Sequence, residues 1–172
     1  MNQSGIQKEE GISMKRKFTI TSIFLLFLLI VSSYTIFFRS QQPLVQAEKE
    51  ARMIAQEVAG IENVKNFYWY NGSEETYFTV EGLNESLNHF YVVIKQSDGN
   101  TLLLDADVVV TEEEAKSILQ AEKKPFEILE ARIGIEENDP FWEVSYKNED
   151  GSIGYFLISI YTGETIREYE NI

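Results

Sequence analysis

The sequence predicts an α+β protein: an N-terminal transmembrane helix followed by two small repeats, each a helix packed on an antiparallel sheet. Three observations predict it. Between Lys17 and Arg39 lies an uncharged run of 21 residues, FTITSIFLLFLLIVSSYTIFF, which at ~1.5 Å per residue covers the ~30 Å hydrocarbon core of a bilayer. Beyond it, helical periodicity gives way to short alternating strands. That order, helix then strands, occurs twice.

The apolar run is apolar or hydroxyl-bearing around its whole circumference, unlike a core helix with one polar face. The span is expected from Phe18 to Phe38. A cleaved signal peptide is the competing reading, because Lys15, Arg16 and Lys17 form a basic leader and Val45-Gln46-Ala47 loosely resembles a cleavage site. The run exceeds the usual apolar region of about 7 to 15 residues, and the triplet lies well past its end. Retention is the expectation, and a chain without cysteine has no lipobox. Lys8, Lys15, Arg16 and Lys17 precede the span and only Arg39 follows directly, so the N-terminus is expected in the cytoplasm and the remainder outside it. Met14 is an alternative start.

From residue 40 onward there are ten Lys/Arg against twenty-six Asp/Glu, a net charge of −16. Such a surface repels phosphate backbones, and nucleic-acid binding is set aside. Without cysteine, an exported domain depends on its core alone.

Ser40 to Pro43 reads as a polar connector. Leu44, Ala47, Ala51, Ile54, Ala55 and Val58 then recur at helical spacing before Gly60. Four strands are expected over Val64–Tyr70, Thr76–Glu81, Asn88–Gln96 and Thr101–Asp105, with Asn71-Gly72 and Asp98-Gly99 as hairpin turns. Thr111 to Glu114 forms a capping box ahead of Ala115, Ile118 and Leu119, and Lys123, Lys124 and Pro125 close that helix. Strands follow over Phe126–Ile135, Phe141–Lys147, Ile153–Tyr161 and Thr165–Tyr169, parted by Asn138-Asp139-Pro140, Glu149-Asp150-Gly151 and Thr162-Gly163. The expected division is a tail over 1–17, the span over 18–38, and domains over 40–108 and 109–172. Within strands one face is apolar, as in Trp142, Val144 and Tyr146 against Glu143, Ser145 and Lys147.

The inventory for catalysis is poor: no cysteine, one histidine at His89, and no nucleophile elbow or phosphate loop. His89 reads as a strand-end residue without a visible partner. Asp105 and Asp107 are a carboxylate pair better read as a solvated strand-to-helix connection. The oxygen-rich stretches Asn148 to Ser152 and Glu136 to Asp139 lack calcium-loop spacing and read as turns. Asn71-Gly72-Ser73 and Asn84-Glu85-Ser86 match glycosylation acceptors, which matter only in a eukaryotic secretory pathway. No catalytic residue, cofactor or metal ligand is expected. The aromatic run is more informative. Phe67 and Trp69 face one side of a strand, Tyr68 and Tyr70 the other. These four are the partner-binding candidates; the alternative is that the helix and the other repeat fill both sides.

Phe141-Trp142-Glu143-Val144-Ser145-Tyr146, followed by Gly151, Gly154 and the hairpin Ile160 to Ile166 around Thr162-Gly163-Glu164, resembles a PepSY-type unit. The departure is Ser159, three residues before Thr162, where the pattern usually has aspartate. Taken whole, the basic start, single span, helix near Ala47, aromatic strand and PepSY-like end resemble the TseB-like cell wall elongation regulators of Gram-positive bacteria. The resemblance implies two cystatin-like or PepSY-like units outside the membrane. It also implies a non-enzymatic role: binding a membrane-bound penicillin-binding transpeptidase during cell elongation. Inhibition or chaperoning of a secreted peptidase is the alternative for PepSY units. A carboxylate-dependent cell wall hydrolase is the alternative of another class. Oligomeric state is left open.

Overall fold

The structure is a computed structural model that describes the backbone of residues 3–170 and the side chains of residues 18–36 and 43–170. Met1 and the side chain of Met14, the alternative start, lie outside the described residues. So do the side chains of Lys8, Lys15, Arg16, Lys17 and Arg39, on which the expected orientation rests. The chain divides into two compact units, Met1–Gln46 and Ala47–Ile172.

Helix α1 runs Gln3–Ala59 and contributes to both units. In the first unit, Phe18–Ile36 has mean hydropathy 2.1 and is long and apolar enough to cross a membrane or serve as a signal sequence. Its large apolar side chains are exposed, the opposite of a buried core helix. The expected connector Ser40–Pro43 is corrected: its backbone is helical, with Pro43 inside α1. Gln41, Gln42 and the residues after Pro43 are good helix formers, and their local preference carries the backbone past the proline. The helix stops where glycine allows it, at Gly60, whose φ of 65° and N–H bond to the Gln56 carbonyl at 2.9 Å form the terminating turn.

In the second unit, strands β1 (Ile61–Asn71), β2 (Thr76–Asn84), β3 (His89–Lys95) and β4 (Thr101–Asp105) form an antiparallel meander in chain order. Helix α2 (Glu112–Lys123) follows. Strands β5 (Glu127–Glu136), β6 (Asp139–Lys147), β7 (Ile153–Ser159) and β8 (Thr165–Tyr169) make a second meander. The α+β class read from the sequence is borne out. The capping box forms as expected: Thr111 Oγ1 accepts the Glu114 N–H at 3.3 Å, and Glu114 Oε2 accepts the Thr111 N–H at 2.8 Å. Three turns differ from expectation. Gly72 to Glu75 make a wider turn, and Gln96 to Asn100 a longer one in which Gly99 takes φ 73°. Pro140 lies inside β6 opposite Ile135, and the turn is Glu137-Asn138, both at positive φ as a primed hairpin requires.

Sheet alternation produces two cores. One face of the first sheet, Phe78, Val80, Val92 and Ile94, packs with Ala51, Ala55 and Ile61. The other face, Tyr68, Tyr77, Tyr91, Val93 and Leu104, packs with Ala115 and Leu119 of α2 and with the inner face of the second sheet. Trp142 stands at the centre. Its ring is fully buried, edge-on to Tyr68 at 5.5 Å and to Tyr91 at 5.6 Å. Its indole N–H donates to the Val110 carbonyl at 2.7 Å. A large aromatic with its polar atom satisfied contributes both area and orientation to such a core. The helix expected to cover the second sheet therefore does so jointly with the first sheet.

Candidate interaction surface

The four aromatics of β1 take four different positions. Phe67 stacks on Phe78 at 5.8 Å, beside the C-terminal turns of α1. Trp69, on the same side, is 45% exposed. Tyr68 is buried against Trp142. Tyr70 stands edge-on to Phe141 at 5.6 Å and lies beside Tyr77 at 6.4 Å. Trp142 and Phe141 are neighbours on β6 and point to opposite faces of the second sheet. Tyr68 and Tyr70 therefore straddle β5, one reaching the inner face and one the outer. Gly134 makes room for this, since a Cβ there would lie 2.7 Å from Phe141 Cζ and 2.8 Å from Tyr70 Cε1.

Behind Tyr68 lies a buried polar knot. Its hydroxyl is 2.6 Å from Glu81 Oε2 and 2.7 Å from Glu112 Oε2. A phenol has one hydrogen, so only one carboxylate can receive it. The two coexist because each has other partners. Glu81 accepts from Asn66 at 2.7 Å and meets His89 Nε2 at 2.8 Å. Glu112 pairs with Lys116 and sits in the first turn of α2, where the helix dipole favours an anion. Burial, then the bonds to Glu81 and Glu112, push the Tyr68 hydroxyl far above the ordinary phenol range. Burial pushes Glu81 up, but the bonds from Tyr68, Asn66 and His89 together outweigh it and hold the carboxyl below its usual value. His89 thus has a partner that the sequence did not reveal, within a knot joining β1, β2, β3 and the start of α2.

Outside the Tyr70–Phe141 contact, a cleft of about 360 Å³ opens between the Gly72 to Glu75 turn and the outer face of the second sheet. Tyr70, Tyr77, Phe141 and Leu157 supply apolar surface, and Glu74, Glu75, Glu136, Glu137 and Glu143 supply carboxylates. Its two cations are already engaged. Lys95 is 2.9 Å from Glu75, and Arg167 is 3.3 Å from Glu136 and 3.0 Å from the Tyr169 hydroxyl. Glu143 is only partly exposed and, among the described residues, makes no hydrogen bond or ion pair. Arg132, its cross-strand neighbour, is paired with Glu130 at 2.9 Å. Burial raises the Glu143 carboxyl above its ordinary value, with Arg132 opposing and Glu130 adding to the rise. The sequence reading placed Glu143 on the polar face of its strand but not in a cleft; the available signal was Phe141, a large aromatic two residues away on that same face.

The remaining sequence candidates are turns. Asp105 Oδ1 accepts the Asp107 N–H at 3.0 Å just past the end of β4, so the pair shapes the connection to α2. Asp150 Oδ1 accepts from the Ser152 N–H at 3.0 Å and hydroxyl at 2.7 Å, and Asn148 donates to Ser152, so these groups shape the turn. The acceptor asparagines are similarly used, Asn71 by Thr76 and Asn84 by the Asn88 N–H. Ser159 Oγ accepts the Thr162 N–H at 3.3 Å and so helps close the Thr162-Gly163 turn. Among the described residues no group of three or more His, Asp or Glu is arranged to hold a metal ion.

Comparison with known proteins adds three observations. Residues 50–95 match the family model described as the cell wall elongation regulator TseB-like domain. Those residues run from the last turns of α1 to the end of β3, and so include the aromatic strand and Glu81. No curated protein sequence matches the chain. Among solved structures, the YpmB protein from Bacillus subtilis superposes with TM-score 0.61 at 21% identity, covering 71% of this chain and 95% of that one. A lipoprotein candidate from Clostridium difficile 630 aligns with TM-score 0.39 at 13% identity, covering 72% and 91%. The likeness to the Bacillus subtilis protein shows a shared fold. The match at residues 50–95 agrees with the family resemblance read from the sequence.

Proposed function

We propose that this chain is a membrane-anchored, non-enzymatic regulator of cell wall synthesis that binds a membrane-bound penicillin-binding transpeptidase during cell elongation. The observation that carries the reading is the TseB-like domain at residues 50–95, a family described by regulation of wall elongation. Two features support it. The exposed apolar helix Phe18–Ile36 suits a tether that confines the acidic unit beside other membrane proteins and raises its effective concentration for them. The residues with catalytic potential, His89, Asp105 and Asp107, are held in a buried knot and a turn.

The Phe18–Phe38 helix anchors the chain, with its N-terminus in the cytoplasm and the unit after Gln46 outside. Of the four aromatic candidates, Trp69 is the one with broad exposure, so a photo-crosslinker belongs there rather than at buried Tyr68. Crosslinking from position 69 in living cells, with a deletion strain scored for cell width and length, tests the reading. Transpeptidase adducts and a shape defect are expected. Adducts confined to a secreted peptidase, with normal cell shape, would replace this function by peptidase inhibition.

A further inference from the structure

We infer that the cleft between the two meanders is a docking groove for a cationic, aromatic-bearing protein segment, with Glu143 as the anchor for a lysine or arginine side chain. The inference rests on the proposed function only in taking the occupant to be a stretch of protein.

Charge and shape both point to that chemistry. Lys95 and Arg167 are paired with Glu75 and Glu136, which leaves Glu74, Glu137 and Glu143 without an ion-paired cation around about 360 Å³ of space, since Arg132, opposite Glu143, is itself paired with Glu130. Glu74 and Glu137 are exposed and water solvates them. Glu143 differs, being half-withdrawn from solvent between Phe141 and Leu157 with no described partner. A carboxylate in that position lacks the compensation that buried charges normally have, and an incoming ammonium or guanidinium supplies it. In the apolar part of the same wall Tyr70 is partly exposed and presents ring surface beside that anchor, backed by the buried rings of Tyr77 and Phe141. Rings accept aromatic or aliphatic neighbours and, through their faces, cations. An anionic segment would meet three unpaired carboxylates, and a purely apolar one would cover Glu143 without supplying it a partner.

The test uses the full chain in nanodiscs of neutral phosphatidylcholine and a fluorescein-labelled peptide, Lys-Phe-Arg-Phe-Lys, followed by anisotropy. Saturable binding is expected, with Glu143→Gln weakening it about tenfold, the loss of one charge-assisted contact. The double variant Glu62→Gln/Glu85→Gln removes the same kind of charge from an exposed site elsewhere and is expected to stay within about twofold, as screened surface charges do. Equal weakening by the two variants, or equal binding of Glu-Phe-Glu-Phe-Glu, would overturn the groove. The proposed function is separable by pull-down of the transpeptidase. Capture by wild type and Glu143→Gln alike, with no peptide binding, removes the groove and leaves the regulator. Peptide binding as expected, without transpeptidase capture, removes the regulator's partner and leaves the groove.

Discussion

Tyr68 on β1 and Glu112 in the first turn of α2 meet hydroxyl to carboxylate at 2.7 Å across 44 residues of sequence. The bond ties the first meander to the helix that begins the second repeat. It also brings the hydroxyl within 2.6 Å of Glu81. Tyr68→Phe should therefore cost about 1–3 kcal/mol, the penalty of leaving buried carboxylates short of a donor. Urea unfolding of the detergent-solubilised chain measures it, with Tyr161→Phe, a change on an exposed ring, as the control near zero. A Tyr68→Phe midpoint equal to wild type would mean that the hydroxyl adds nothing net to the junction.

Gly134 is the seat on which Tyr70 and Phe141 meet. Gly134→Ala places a methyl 2.7 Å from one ring and 2.8 Å from the other, and overpacking of this kind costs about 1–3 kcal/mol. In a double-mutant cycle, Tyr70→Leu should relieve at least about 0.5 kcal/mol of that penalty because the two positions share one space. Strict additivity would show that the clash is absorbed elsewhere.

Glu143 and Glu81 should respond oppositely to pH. The Glu143 carboxyl is raised above its usual value, so the folded protein holds that proton more tightly than the unfolded chain does. Its contribution to stability is present below the ordinary carboxylate range, near pH 4.3, and is lost as pH rises through the folded value. Ionised Glu143 thus costs stability at neutral pH. Glu143→Gln should melt higher than wild type at pH 7 to 8, and the gain should vanish near pH 4. Glu81 is lowered, so its contribution is present above the ordinary range and lost as pH falls through the folded value. Glu81→Gln should melt lower at neutral pH, the difference shrinking on acidification. Thermal melts across pH 3 to 8 read both, and the same sign for the two variants at pH 7 would contradict the assignment.

Topology has a direct readout because the chain has no cysteine. A membrane-impermeant maleimide should label Ser86→Cys, at an exposed position, in intact cells. Ser4→Cys should label only after lysis. Release of the labelled unit into the medium would make the apolar helix a cleaved signal instead of an anchor.

Much of the fold was legible because its signals are local. The apolar run, the stop at Gly60, the Thr111–Glu114 capping box and the eight strands each depend on residues within a few positions of one another. Hydrophobic period and backbone preference act over that range. Errors arose where local preferences compete: Ser40 to Pro43 continued as helix despite its proline, and Pro140 entered a strand because the Glu137-Asn138 pair could make the turn.

The alternation of the aromatic run was also legible, with Phe67 and Trp69 on one side and Tyr68 and Tyr70 on the other. What those sides meet was not. Strand pairing within the first meander gives His89 its Glu81, but only the packing of the two meanders sends Tyr68 to Trp142 and Tyr70 to Phe141 and leaves Glu143 half-buried without an ion-paired cation. Those relationships join residues far apart in the chain, and no local rule encodes them. They exist because each sheet must bury its apolar face, and the way the two faces fit determines which polar groups find partners and which remain open to a ligand.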